Sequence, residues 1–305
     1  MHKPITYAYL ETTNYCNLNC SFCNRDSVIK KLKHMSLSEW EMVLEKLKSQ
    51  PIKEAKLMGL GEPFMHPKFS TICKMFKSYF PDANLIVATN CQYKMNDNFK
   101  NSLKYIDLLY LSIDGYKESY EEFRPPSKWS KLMEFLNELR NIERYNCKIT
   151  CNYVVNTKNI NDISKIEEIC NEYQLEELRL NIAQDWSEEK SISTSDKISG
   201  YTSEQIKYLK ENYGKNIKGK APWTWSDCFW VNTGIYMTVE GNLKVCALNT
   251  DTESLGNIFD DSIDKILNSK RMNEIRDGCL NDIPSEHCKN CSYKELSPIL
   301  EKLFT

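Results

Sequence analysis

Charge of either sign is not in excess in this chain. Its 305 residues carry 40 Lys and Arg against 42 Asp and Glu, a formal net charge of −2. The two signs are interspersed, so neither a nucleic-acid footprint nor a basic membrane-binding face stands out. Long apolar runs are also missing. No stretch approaches the roughly 18 apolar residues of a membrane span. The opening residues, MHKPITYAYLETT, lack the apolar centre and small-residue cleavage site of a secretory signal. These absences set the expectation of a cytoplasmic protein without nucleic-acid or membrane partners.

Cysteine is plentiful, with 13 in the chain. In a chain this long that carries no secretion signal, they do not suggest a disulfide scaffold; they suggest metal or redox work. Apolar residues make up 41% of the chain, enough for a real core. The length allows one large or two modest domains.

The hydrophobic pattern alternates strand and helix six times. Strands are expected at 5–11, 54–58, 84–89, 106–114, 148–156 and 175–182. Between them Ser36-Leu37-Ser38-Glu39 is a capping box that opens a helix. Trp129, Leu132, Met133, Leu136, Leu139 and Ile142 mark an amphipathic one. Such alternation argues for a parallel sheet with right-handed helical crossovers. Six units are too few for an eight-fold barrel, so the fold class is α/β, a partial (β/α)6 TIM-like barrel. Functional groups of barrels gather at the C-terminal strand ends. Residues 184–222 read as a polar linker plus one helix near 203–213. GIYMTV and LKVCAL then flank Glu240-Gly241-Asn242 as a β-hairpin, followed by a helix at about 260–277.

Cys16, Cys20 and Cys23 stand in C-x3-C-x2-C spacing directly after the first strand. Three thiolates on one loop can hold three irons of a cubane and leave the fourth open. Zinc is the plainer reading, but structural zinc sites favour four ligands and paired C-x2-C knuckles. A second group, Cys228, Cys246, Cys288 and Cys291, places two thiolates on the hairpin and two on a later knuckle. Four thiolates satisfy either a second cluster or zinc. Cys279 is surplus: a replacement ligand, a thiol hydrogen donor or a structural residue. Cys73, Cys91, Cys147, Cys151 and Cys170 are scattered and read as small buried apolar residues.

C-x3-C-x-aromatic-C, here with Phe22 before Cys23, resembles the radical S-adenosylmethionine superfamily. The resemblance implies a 4Fe–4S cluster on Cys16, Cys20 and Cys23, with S-adenosylmethionine chelated at the open iron. It implies reductive cleavage to a 5′-deoxyadenosyl radical that abstracts hydrogen from substrate, with an external donor such as flavodoxin or ferredoxin. Gly59-Leu60-Gly61-Glu62-Pro63 resembles the family's G-G-E-like motif, with Gly61 and Glu62 matching. Thr89-Asn90-Cys91 resembles T-N-G with cysteine in place of glycine. Ser112, Asp114 and Arg124 resemble groups that meet the ribose or methionine carboxylate. Asn152, Arg179 and Asn181 are polar residues on strands five and six, and if their faces line the barrel they point at cofactor or substrate. The hairpin and knuckle resemble the one-cluster twitch form of the SPASM domain, which implies two 4Fe–4S clusters in all.

The resemblance yields two domains, 1–215 for the barrel and 216–305 for the twitch-like part. With only about five residues before strand one, a small polar substrate is expected, a sugar, cyclitol or amino-acid derivative undergoing dehydrogenation or epimerisation. The rival is a radical maturase acting on a ribosomally made precursor peptide. A reading of another class is a non-catalytic zinc protein. Trp223, Trp225, Phe229 and Trp230 are candidates for a pocket floor or for core.

Overall fold

The computed structural model describes residues 3–183, 200–219, 223–247, 253–289 and 291–305. Most of the polar linker read at 184–222 lies outside them. Ten strands are described: β1 (Tyr7–Leu10), β2 (Glu54–Lys56), β3 (Asn84–Thr89), β4 (Leu108–Ser112), β5 (Lys148–Val155), β6 (Leu178–Ile182), β7 (Ile217–Lys218), β8 (Gly234–Met237), β9 (Asn242–Lys244) and β10 (Gly256–Asn257). They form one sheet in the order β10-β9-β8-β1-β2-β3-β4-β5-β6-β7. Strands β1 to β7 pair in parallel in chain order, as the alternating pattern requires.

The other edge of β1 is not bare. Strand β8 pairs with it in parallel, Tyr7 opposite Gly234 and Leu10 opposite Met237. Strands β8 and β9 form the expected antiparallel hairpin, closed at Gly241, which adopts φ 83. The C-terminal cysteine region is therefore stitched into the same sheet as the cysteine loop.

Helices cover the outer face of the sheet. The helix Leu37–Leu47 starts at Ser36, where side chain and backbone exchange hydrogen bonds with Glu39 in the expected capping box. It buries Trp40, Val43, Leu44 and Leu47, and the Trp40 indole N–H donates to the Ile72 carbonyl at 3.1 Å. Ala8, Leu10, Ala55, Leu85, Val87, Leu109 and Leu111 supply the sheet side of this core. The five scattered cysteines are all buried, as expected of small apolar residues.

Two helical expectations need correction. The single helix at 260–277 is two, Ile263–Leu267 and Lys270–Leu280, because Ser269 accepts from the Met272 N–H and starts a new helix. Beyond the last cysteine lies a helix that was not anticipated, Ser292–Phe304. It buries Leu296, Leu300 and Leu303 and packs on the helix Ser203–Tyr213. Pro298 inside it disguises the helical period.

Candidate active site

Glu11 ends β1 and is 3% exposed. Its carboxylate accepts from the Leu60 N–H at 2.7 Å and the Val239 N–H at 3.1 Å. One side chain thus ties the end of β1 to the loop after β2 and to the β8–β9 turn. Burial pushes its carboxyl up to about 7, against the pull of those hydrogen bonds. Gly59 must be glycine here, since a Cβ would meet Glu11 Oε1 at 2.5 Å. Gly61 is pressed closer still: a Cβ would overlap the Thr13 carbonyl oxygen and lie 2.8 Å from Asn14 Cα. The glycines of this loop serve its close seating against the cysteine loop, and the Glu62 N–H donates to the Tyr15 carbonyl at 2.7 Å.

The cysteine loop itself turns tightly, with the Cys23 N–H donating to the Cys20 carbonyl at 3.0 Å. Cys16, Cys20 and Cys23 are half-buried and open on one cavity of about 480 Å³. Asn90 Nδ2 lies 3.8 Å from Cys16 Sγ, and Arg124 Nη1 lies 3.9 Å from Cys20 Sγ. Burial raises the Cys16 thiol and takes Cys20 to about 11, while Arg124 opposes the rise at Cys20. Cation and amide donors aimed at half-buried sulfurs fit thiolates that bind metal.

Of the residues expected at the cofactor, Gly61, Glu62, Asn90, Ser112, Arg124, Asn152 and Asn181 line this cavity. Asp114 does not. It is fully buried behind the wall, receives Arg124 Nε at 2.7 Å and pairs with Nη2 as well. It also accepts from the Val154 N–H at 2.6 Å. Asp114 positions Arg124, so this arginine is already forked to a protein carboxylate. Glu62 is similarly engaged, accepting from the Asn90 N–H at 2.7 Å and Thr89 Oγ1 at 3.0 Å, and burial raises it to about 7. Asn181 Nδ2 donates to Asn152 Oδ1 at 2.8 Å. Cys91, at the family's glycine position, adopts φ 59, the left-handed region that explains a glycine there.

The C-terminal cysteines are organised separately. Cys228 and Cys288 are half-buried beside a small apolar group of Val231, Val245, Met272, Ile275 and Cys279. The Cys279 thiol hydrogen-bonds Cys288, which raises Cys279 and lowers Cys288; Cys228 and Cys291 lie within electrostatic reach. Cys279 is fully buried there and is not among the described residues that line the cavity. Cys246 follows β9, next to Ala247, which does line the cavity. The aromatic residues split: Trp230 packs on Tyr7 and Tyr9 at 5.5 Å, while Trp223 packs on Trp225 and Tyr293.

The Radical SAM superfamily model matches residues 10–170, more than half of the chain. The chain is a radical SAM protein. The SPASM model, an iron–sulfur cluster-binding domain, matches residues 228–292. Membership brings a 4Fe–4S cluster and S-adenosylmethionine to the enzyme, and the second match brings further iron–sulfur binding. Among curated relatives, the sporulation killing factor maturation protein SkfB of Bacillus subtilis is 24% identical over 173 residues, covering 53% of this chain and 38% of SkfB. The chain thus spans well under half of that relative. The structure of Streptococcus suis SuiB bound to precursor peptide SuiA matches at TM-score 0.72 and 14% identity, over 95% of this chain and 74% of SuiB. BtrN in complex with AdoMet and 2-DOIA matches at TM-score 0.59 and 15% identity, over 95% of this chain and 94% of BtrN. These likenesses establish the shared fold. No helix among the described residues is long and apolar enough to cross a membrane.

Lys56 was missed by sequence reasoning, although it lines the same cavity. Its signal was a lysine in the apolar run EAKLM at a strand end. Glu11 was missed as well; a lone acid at the end of a strand carries no pattern.

Proposed function

We propose that this chain is a radical SAM enzyme that modifies a peptide substrate. The observation that carries the enzymatic part is the cavity onto which Cys16, Cys20 and Cys23 all open, with Asn90 and Arg124 aimed at two of the sulfurs. In this reading residues 1–215 bind the first cluster and S-adenosylmethionine. Residues 216–305 hold one auxiliary cluster on Cys228, Cys246, Cys288 and Cys291. When bound, the cluster and S-adenosylmethionine supply the reductive, hydrogen-abstracting chemistry. The chain's own residues do the rest. Asp114 holds Arg124 against the cysteine loop, Glu62 fixes the Asn90 backbone, and the walls of Tyr9, Tyr110 and Tyr236 exclude water. A cluster held by Cys228, Cys246, Cys288 and Cys291 would supply an electron acceptor or relay for an oxidation, and a flavodoxin- or ferredoxin-type donor would supply the first electron.

The peptide reading displaces the small polar substrate as first choice because SkfB is named a maturation protein and SuiB is seen with a precursor peptide. The small-molecule reading stays second, supported by the likeness to BtrN, seen with 2-DOIA. The test uses anaerobically reconstituted enzyme, a chemical reductant and S-adenosylmethionine. Wild type should release 5′-deoxyadenosine and Cys16→Ala should not. Short peptides encoded beside the gene should gain a mass change and accelerate that release. If only cyclitols or amino sugars do so, the second reading replaces the first.

A further inference from the structure

The lower part of the cavity holds two cations that the cysteine-loop chemistry leaves unused. Lys56 stands on β2 and Arg179 on β6. These strands are separated in the sheet by β3, β4 and β5, and the two long side chains reach the same cavity from either side of Tyr110's strand β4. Both cations face one ring. Lys56 Nζ lies 6.0 Å and Arg179 Cζ 5.4 Å from the centroid of Tyr110. The lysine head also sits over Tyr7 and Tyr9, each at 5.3 Å. Both charges therefore lie within cation–π reach of one ring, in a part of the cavity walled by Tyr9 and Tyr110.

Their charge is poorly matched by the protein. The nearest carboxylate to Lys56 is Glu54, at 4.0 Å, and no hydrogen bond joins them. Arg179 makes no ion pair or hydrogen bond among the described residues. Among the described residues Glu62 is the one acidic side chain lining the cavity, and the Asn90 and Phe64 N–H groups and Thr89 already occupy its oxygens. Burial lowers the Lys56 amine to about 8, Glu54 opposing and Arg179 adding to the fall. The two cations feel each other's charge in a partly dry site, a repulsion that an anion bound between them would relieve. Other polar residues continue upward from this pair. Asn152 lies opposite Arg179 and Ser112 opposite Asn152 in the strand registers, and both line the cavity towards the cysteine loop.

We propose that Lys56 and Arg179 form a carboxylate-binding subsite that anchors the substrate within reach of the cysteine loop. A guanidinium fork and an ammonium against flat aromatic walls suit a planar carboxylate. The substrate class is then an acid: an Asp or Glu side chain of a peptide, a peptide C-terminus, or a small organic acid. The assignment rests on the cavity being the reaction site.

The test reads the accessibility of the Lys56 amine and needs no turnover, so its failure is distinct from failure of the reaction reading. Reconstituted enzyme is labelled with a limiting amine reagent and Lys56 modification is quantified by mass spectrometry. The probes are acetyl-glutamate amide for a side-chain acid, acetyl-alanine for a C-terminus, glutarate for a small acid, and acetyl-glutamine amide as the uncharged control. At least one acid should protect Lys56 about tenfold better than the control, the value of one charge-assisted hydrogen bond. Arg179→Gln should abolish this protection and Arg179→Lys should keep part of it, with circular dichroism unchanged for the variant that is scored. Equal protection by acid and control overturns the proposal. So does full protection by S-adenosylmethionine alone, which would hand the two cations to the cofactor.

Discussion

Replacing Glu11 tests the joint on which the cysteine loop is seated. The side chain accepts two buried backbone N–H groups, from Leu60 and Val239. Glu11→Ala leaves both without a partner, and each such group costs about 1–3 kcal/mol, so a loss of about 2–6 kcal/mol follows. Glu11→Gln keeps one acceptor oxygen and should cost less than the alanine. The pH dependence gives a second, sharper reading. The carboxyl stands at about 7 in the fold against an ordinary value of 4.5. A raised value means that the folded state holds the proton more tightly. The contribution is full below 4.5 and is lost as pH rises through 7. Between pH 6 and 8 the loss comes to about 1.4 kcal/mol, or one decade in the folding equilibrium. Urea midpoints of the holoenzyme at both pH values, compared between wild type and Glu11→Gln, isolate this share. The variant should lose less stability between pH 6 and 8 than the wild type. Identical losses, or a Glu11→Ala protein within about 0.5 kcal/mol of wild type, would refute the reasoning.

Asp114→Ala strands the Arg124 guanidinium in a buried site and should destabilise the protein by about 3–5 kcal/mol, read from urea unfolding. The same variant frees Arg124 from its place beside Cys20, so equilibrium binding of S-adenosylmethionine should weaken as well. Gly61→Ala forces its loop away from the Thr13 carbonyl, and iron analysis should show the bound iron falling from about eight towards about four while the auxiliary site stays loaded. Cys279→Ala should retain 5′-deoxyadenosine release, because the thiol lies outside the cavity. Loss of that release with both clusters intact would show Cys279 reaching the chemistry.

Much of the fold is legible in the sequence because it follows periods. Six strand–helix units, the Ser36 capping box and the hairpin around Gly241 all rest on local spacing, and all are found. What local spacing does not encode is pairing across distance. The parallel contact of β8 with β1 joins residues more than 220 apart in the chain, and no period announces it. The site divides in the same way. Cysteine spacing was readable, and so were several polar residues of the cavity wall, Asn90, Ser112 and Asn152 among them. The partner of Arg124 was not: a carboxylate ten residues earlier folds back behind it, so the pair serves position before ligand. Lys56 was hidden because an inward lysine in a short strand looks like surface until the curvature of the sheet is known.

The sheet also dictates how the two cysteine groups relate. Cys16, Cys20 and Cys23 follow the C-terminal end of β1. Because β8 runs parallel to β1, Cys228, which precedes β8 by a short helix, lies towards the N-terminal edge of that pair. Strand β9 runs back antiparallel, so Cys246 after it returns to the same edge. Cys228 and Cys246 therefore sit at the opposite end of these strands from the cysteine loop. Phe229 and Trp230, directly after Cys228, pack at 5.0 and 5.5 Å on Tyr7, and Trp230 packs on Tyr9, which lines the cavity. The cavity is lined by the cysteine loop and also by Ala247, the neighbour of Cys246. That placement fits the two-cluster arrangement proposed above. It also explains the parallel stitch: a hinged second domain would let the distance between the groups wander, whereas a shared strand ladder holds it fixed.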